Sequence, residues 1–292
     1  MRAFATLLGA FLFAALPLAA SAQGSDFTDA AKRIEQDGTT VNVYVNGSEA
    51  EGYVATVAVS REGYVGAAMA VADIFSPLSV PEVSFVEMDK SNATPEIFVT
   101  HWTGGAHCCV EATVFSETND SWRALDVGAF DGDPESLAPQ DLDGDGQGEI
   151  ATYDNAFLYR FTSYAGSYAP PQIFGIRDGK ITDVTGEPGF ATYLRNDLAE
   201  MEEMPDASED AGSGSERNSW LAAYTAILLR LGEADPFARA DSEYDKVSEW
   251  GLVSCADPAK EYDCPEDQKR LTPFPEALRS LLKENGYPEA SQ

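Results

Sequence analysis

Four carboxylates are concentrated in a nine-residue stretch that runs from Asp141 to Glu149. They occupy positions 1, 3, 5 and 9 of the stretch, as Asp141, Asp143, Asp145 and Glu149, and the intervening glycines allow sharp backbone turns. Acids this close repel one another unless a cation lies between them. Calcium takes six to eight oxygen ligands in a flexible cage. The spacing therefore predicts a calcium-binding loop.

An EF-hand is the first alternative for this loop, because its calcium ligands begin with the same pattern. Its twelfth position carries a bidentate glutamate and helices flank it. Here the twelfth position is Thr152, and the residues after the loop, from Ile150 onward, are largely β-branched or aromatic, which favours strands. An acidic surface turn without a metal is the other alternative.

The loop resembles the FG-GAP or VCBS calcium repeats of integrin-like propellers and of many secreted bacterial proteins. The resemblance implies that Asp141, Asp143, Asp145 and Glu149 bind calcium through their side chains and Gln147 through its carbonyl. The stretch from Glu87 to Val99 reads as a degenerate copy, which ends in the same Glu-Ile step 53 residues earlier. That separation is within reach of a propeller-blade period. The resemblance implies a β-meander or partial propeller-like repeats.

A second cluster, from His101 to Cys109, holds both histidines of the chain and two of its four cysteines. Imidazole and thiolate are suited to zinc, copper or a Cys-His nucleophile. An exported redox or metal-dependent enzyme that uses His107, Cys108 and Cys109 is therefore the alternative function. Each histidine alone is more often a hydrogen-bonded structural residue. The Gly104 to Cys109 segment also resembles secreted FG-GAP-like proteins of unassigned activity.

The four cysteines predict disulfides if the chain is exported. Cys255 and Cys264 would close a short local loop. Cys108 and Cys109 would then form a bridge between neighbours, whose Cα atoms lie closer than most disulfides allow. Pairing of Cys108 or Cys109 with the tail, or a free or metal-bound pair, are the two alternatives.

The N-terminus predicts export to the periplasm or beyond. A positive start, an apolar run and a small-x-small site make residues 1–22 a secretory signal peptide. No later run is long enough to predict a transmembrane helix. With 49 acidic and 19 basic residues the formal charge is −30, which disfavours nucleic acid and anionic membranes as partners.

Hydrophobic patterning divides the mature chain into a β-rich domain over residues 23–199, an acidic linker over 200–216, and a helical, disulfide-bearing region over 217–292. A short helix is expected from Asp26 to Gln36, and a helical stripe from Trp220 to Leu231. Two more helices are expected, from Asp241 to Trp250 and from Pro275 to Glu284. The predicted strand runs are Val41 to Val45, Tyr53 to Ser60, Tyr64 to Val71, Phe85-Val86, Ile97 to Thr100, Val110 to Phe115, Ile150 to Tyr153, Phe157 to Phe161 and Ile173 to Ile176, with turns at Asn46-Gly47 and Asp178-Gly179.

Common catalytic motifs such as a Gly-x-Ser-x-Gly elbow, a phosphate loop and His-Glu-x-x-His are missing from the sequence. The fold class expected is mainly β with a C-terminal helical region. The function expected is that of an exported calcium-binding protein, a non-catalytic binding or envelope-associated module whose ligand is a protein or a glycan.

Overall fold

The computed structural model describes residues 30–61, 66–74, 76–105, 108–118, 121–203 and 215–290. Two four-stranded antiparallel meanders, a three-stranded sheet and a short two-stranded hairpin precede or flank the helices. The mainly β architecture with a C-terminal helical region is therefore confirmed. The predicted signal peptide lies outside the described residues.

The first meander has the strand order β1-β2-β3-β4. Strict alternation in β2 and β3 places valines such as Val41, Val43 and Val57 on one fully buried face. The expected helix at Asp26 to Gln36 is wrong in its described part, because residues 32–36 pair with β2 as an edge strand. The β2–β3 turn falls at residues 49–51, beyond the expected Asn46-Gly47. The strands are β1 (Lys32–Gln36), β2 (Thr39–Ser48), β3 (Gly52–Arg61) and β4 (Ala67–Ile74).

The second meander lies between two layers, because both of its faces are buried. Ile97 and Val99 pack against the valines of the first meander. Phe98, between them in the chain, faces the opposite way and joins a second core with Ile150 and Ile176. The strands are β5 (Glu82–Val86), β6 (Glu96–Trp102), β7 (Val110–Thr118) and β8 (Ser121–Phe130), of which β8 was not among the predicted runs.

The third sheet has the order β11-β10-β9, and its β10–β11 hairpin turns at Asp178-Gly179 as predicted. The strand expected from Phe157 to Phe161 is wrong. Residues 155–157 form a 3-10 turn, and Phe157 and Phe161 are buried beneath the helices of the tail. The strands are β9 (Ile150–Tyr153), β10 (Pro171–Arg177) and β11 (Lys180–Asp183).

The helical region begins earlier than expected. The first helix runs to Glu203, so the first four residues of the predicted acidic linker are helical, and Ser215 and Glu216 already belong to the second helix. The rest of that linker lies outside the described residues. The helices are α1 (Ala191–Glu203), α2 (Ser215–Leu231), α3 (Ala238–Glu243) and α4 (Phe274–Glu284), and the hairpin between α3 and α4 is β12 (Val253–Cys255) with β13 (Lys269–Leu271).

The helices α2 and α4 confirm two of the predicted stripes. The helix expected from Asp241 to Trp250 is wrong, because α3 ends at Glu243 and the backbone of Tyr244 is extended. Leu221 and Leu278 share one apolar core with Phe157 and Phe161, so the tail packs on the segment after β9. Of the helices that the structure describes, none has both the length and the apolar character needed to span a bilayer.

Candidate metal centre

The acidic loop from Asp141 to Glu149 joins the second meander to the third sheet. A β-bridge closes it: Gln140 and Glu149 exchange both main-chain hydrogen bonds, at 2.9 and 2.8 Å. Ile150, next in the chain, is fully buried and begins β9. Burial of Ile150 and the bridge at Glu149 fix the end of the loop.

Three of the four predicted carboxylates lie together. Asp141, Asp143 and Glu149 each offer one carboxylate oxygen, and these oxygens all lie within 4.8 Å of one another. Oxygens that share a calcium ion at 2.3 to 2.6 Å can be separated by no more than about 5 Å. The set is therefore compatible with a single hard cation between the three groups.

Main-chain N–H groups of the loop donate hydrogen bonds to all four of its carboxylates, and that of Asp145 donates to Asp143 at 3.0 Å. Asp141 accepts hydrogen bonds from the N–H groups of Gly144 at 2.8 Å and Gly146 at 3.0 Å. Both glycines have positive φ, which an L side chain adopts with strain. Asp145 accepts from the main-chain N–H and the side-chain amide of Gln147, at 2.7 and 2.8 Å, and these bonds help to lower the pKa of Asp145.

Glu149 is the one acid of the loop that is almost completely buried, with 1% of its surface exposed. Burial raises its pKa to about 7, and the negative charges of Asp143 and Asp145 act in the same direction. Its carboxylate accepts a hydrogen bond from the N–H of Leu142 at 3.1 Å. Glu149 thus lies in a position that favours either a proton or a cation beside it.

Two neighbours of the loop were missed by sequence reasoning. The ammonium of Lys90 donates a hydrogen bond to the Asp145 carbonyl, and its main-chain N–H donates one to the side-chain oxygen of Gln147. A Cβ on Gly189 would lie 2.8 Å from a carboxylate oxygen of Asp143, so the glycine leaves room for that acid. Lys90 lies in the stretch from Glu87 to Val99 that was compared with the acidic loop, so its position near the loop could have been expected. Nothing in the sequence pointed to Gly189.

The stretch from Glu87 to Val99, predicted to be a degenerate copy, contacts the acidic loop, since Gly148 donates its N–H to the carbonyl of Glu87 at 2.7 Å. Its final acid, Glu96, is fully buried. The side chain of Glu96 accepts four hydrogen bonds, from the Met88 and Asp89 amides and from the Asn92 and Ser116 side chains. Burial raises the pKa of Glu96, and the bonds from Asn92, Met88 and Ser116 counteract that effect.

The described residues of the His101 to Cys109 cluster lie at the end of β6, which includes His101, and in the segments on either side of residues 106–107. His101 is buried, its Nε2 lies 3.4 Å from a Glu111 carboxylate oxygen, and burial lowers its pKa. Thr103 closes the loop through hydrogen bonds with both main-chain groups of Cys109. His107 lies outside the described residues, so its place relative to the cysteines stays a prediction.

The cysteines are arranged in two pairs. Cys108 is bonded to its neighbour Cys109, and Cys255 to Cys264 with Cα atoms 5.6 Å apart. The second distance is usual for a disulfide. Among the three pairings that the sequence left open, the structure contains the vicinal bridge and the local tail bridge.

Fold and loop together define a β-rich protein with a helical C-terminal region and a candidate cation loop. Residues 194–286 match the family model described as the sll0997 C-terminal domain, which covers most of that helical region. No solved structure matches the chain.

Two curated relatives resemble a larger part of the chain. One is a probable thylakoid lumen protein, sll0997, of a Synechocystis strain, 38% identical over 218 residues, which are 74% of this chain and 63% of that protein. The other is the uncharacterized protein y4bJ of Sinorhizobium fredii, 36% identical over 208 residues, which are 70% of this chain and 32% of that protein. The chain thus spans less than two thirds of the length of either relative.

Proposed function

We propose that this protein is exported, binds one calcium ion in the loop from Asp141 to Glu149, and uses the ion to hold its second and third sheets together. In this proposal Asp141, Asp143, Asp145 and Glu149 supply side-chain oxygens and Gln147 its carbonyl. The protein acts as a non-catalytic binding or envelope-associated module.

The observation that carries the calcium proposal is the convergence of Asp141, Asp143 and Glu149 within 4.8 Å. A buried carboxylate without charge compensation is costly. The copy ending at Glu96 meets that cost with four hydrogen bonds from protein groups, whereas the acidic loop brings further carboxylates to Glu149. A divalent cation is the group that would balance the second arrangement.

The loop's position supports a stabilising role. It follows β8, ends at β9 and contacts the segment after β5 through the Gly148 to Glu87 hydrogen bond. A cation bound there would fix the connection between two packed sheets. Binding to the folded state alone stabilises it by about 2.7 kcal/mol when free calcium is about a hundredfold above the dissociation constant.

Support for export comes from the sequence and from one relative. The residues at the N-terminus have the pattern of a secretory signal, and the Synechocystis relative is named as a probable thylakoid lumen protein. Both indicate a compartment reached by translocation across a membrane. Two disulfides are in keeping with an oxidising compartment.

The test is thermal unfolding of the mature protein with chelator, with calcium and with magnesium. Calcium is expected to raise the melting temperature by several degrees, and magnesium by much less, because it demands a stricter octahedron and dehydrates reluctantly. A melting temperature that calcium leaves unchanged, with no calcium retained after gel filtration, would show that the loop is only an acidic turn.

A further inference from the structure

A cavity of about 390 Å³ lies between α1, the end of β9 and the segment that follows β9. Its volume is within the usual range of small-molecule sites. The residues that line it do not include those of the acidic loop, and they include no lysine, arginine or histidine. Its aromatic and ionisable lining residues are three tyrosines and three acids: Tyr153, Tyr164, Tyr168, Asp131, Asp197 and Glu200.

The tyrosine side of the cavity is an aromatic wall. The hydroxyl of Tyr164 donates a hydrogen bond to Asp131, and the rings of Tyr164 and Tyr159 lie 5.5 Å apart. These contacts hold the Tyr164 ring in the cavity wall. Tyr153 is 56% exposed although it is large and apolar over most of its surface. Tyrosine rings attract organic cations through the ring quadrupole when a ring face is accessible.

The acidic side of the cavity is built by α1. Asp197 and Glu200 are three residues apart on this helix, so they share a face. Asp197 is half-buried, and its burial together with the charge of Glu200 raises its pKa to about 6. Burial raises the pKa of Tyr153, which also lines the cavity, and the charges of Asp197 and Glu200 raise it further. Negative charge in the cavity is therefore not balanced by the residues that line it.

We propose that this cavity binds a small organic cation, an amine or a quaternary ammonium compound, whose charge faces Asp197 and Glu200 while its carbon atoms contact Tyr153 and Tyr164. The acids supply the charge and the rings supply a face that prefers alkylammonium groups to hydrated metal ions. This gives a ligand class to the proposed binding role and rests on that role, but it is independent of the calcium loop.

A neutral sugar is the competing ligand, because tyrosine rings also stack on sugar faces. It would leave the repulsion between Asp197 and Glu200 unrelieved. A cation relieves that repulsion, which is why the observations favour it.

The test is isothermal titration of the mature protein at pH 7.5 with choline, putrescine and maltose, in excess calcium so that the acidic loop is saturated. Saturable binding of at least one of the two cations is expected, and none of maltose. The variant Asp197→Asn should weaken that binding about tenfold, since it removes a charged partner. Glu49→Gln, which removes an exposed charge in the β2–β3 turn, is the matched control and should change the affinity less than twofold.

Three results would overturn the proposal. They are maltose binding that survives Asp197→Asn, an equal loss of cation binding in Glu49→Gln, and no saturable binding of choline or putrescine to wild type. Thermal unfolding of each sample, with and without calcium, shows whether the variants are folded. A calcium shift that persists while both cations fail to bind would refute this inference and leave the calcium proposal standing.

Discussion

Glu96 and Glu149 occupy the same place in two successive loops, each immediately before an isoleucine that is fully buried. The environments of the two acids differ. Glu96 accepts four hydrogen bonds from amide and hydroxyl donors, whereas Glu149 accepts one from Leu142 and faces Asp141 and Asp143. The first acid is therefore satisfied by hydrogen-bond donors of the protein, whereas the second lies beside other carboxylates.

Replacing each of these acids by its amide should distinguish the roles of the two loops. We expect Glu149→Gln to abolish most of the calcium-dependent rise in melting temperature while stabilising the protein in chelator, because it removes a charge from a cluster of like charges. Glu96→Gln should lower stability by about 1–3 kcal/mol and leave the calcium shift intact, because the amide nitrogen would meet the donors that now serve Glu96. Thermal unfolding of both variants in chelator and in calcium measures this. The reverse assignment of effects would place the cation in the upstream loop.

Asp143 and Asp145 should contribute unequally to calcium affinity. Asp143 lies in the carboxylate cluster and accepts one hydrogen bond, from the N–H of Asp145, whereas Asp145 lies outside the cluster and both of its carboxylate oxygens accept hydrogen bonds from Gln147. We expect Asp143→Asn to weaken calcium binding at least about tenfold, and Asp145→Asn by a smaller factor. Competitive titration with a calcium chelator dye measures both. A larger loss for Asp145→Asn would mean that the loop rearranges on binding.

The pairing of the cysteines predicts two disulfides and no free thiols in the mature protein. Digestion and mass spectrometry before and after reduction should identify the Cys255–Cys264 bridge. Replacement of both residues by alanine should cost about 2–3 kcal/mol, as expected for a short closed loop. Recovery of alkylated Cys108 and Cys109 from unreduced protein would restore the alternative of a metal-binding or nucleophilic pair with His107.

Asp197, the half-buried acid on α1, gives the protein a pH-dependent stability that can be isolated by mutation. The pKa of Asp197 is raised from 3.8 to about 6 by burial and by Glu200, and the facing side chains of Tyr153 and Tyr193 carry no compensating charge. A raised pKa means that the folded state holds the proton more tightly, so stability is lost as the pH rises from 3.8 to about 6.

We therefore expect Asp197→Asn to match the wild-type stability near pH 4 and to exceed it above pH 6, by about 1 kcal/mol after solvent screening is allowed for. Urea unfolding between pH 4 and pH 8 measures the difference, with Glu49→Gln as the control that should show no such dependence. A difference that is constant over the whole range would mean that Asp197 titrates normally.

A buried hydrogen bond joins the tail to the β region. The hydroxyl of Tyr287 donates to Asp154 at 2.8 Å, and both side chains are largely buried. Tyr287→Phe would leave the Asp154 carboxylate without this donor, and we expect a loss of about 1–3 kcal/mol in the free energy of unfolding. A single cooperative transition should persist, because the tail and the segment after β9 share one core. Two separate transitions in the variant would show that the tail unfolds as an independent domain.

Local patterns in the sequence were sufficient for several elements. Alternation predicted β2 and β3, the Asp178-Gly179 dipeptide predicted a hairpin, and the apolar stripe to Leu231 predicted α2. Each of these signals depends on residues a few positions apart, which is the range over which strand and helix periodicity acts. The positions of the acids in the candidate loop were likewise set by local spacing.

The tertiary structure decided the rest, because those features depend on contacts between residues that are distant in the chain. Phe157 and Phe161 have the composition of a strand but serve as core residues beneath α2 and α4. Burial and the neighbouring charges of the loop raise the pKa of Glu149, and residues of α1 and β9 line the same tyrosine-containing cavity. Sequence spacing alone could place four acids in one loop. Their burial and their neighbours from other segments, such as Lys90 and Gly189, became visible only in the folded structure.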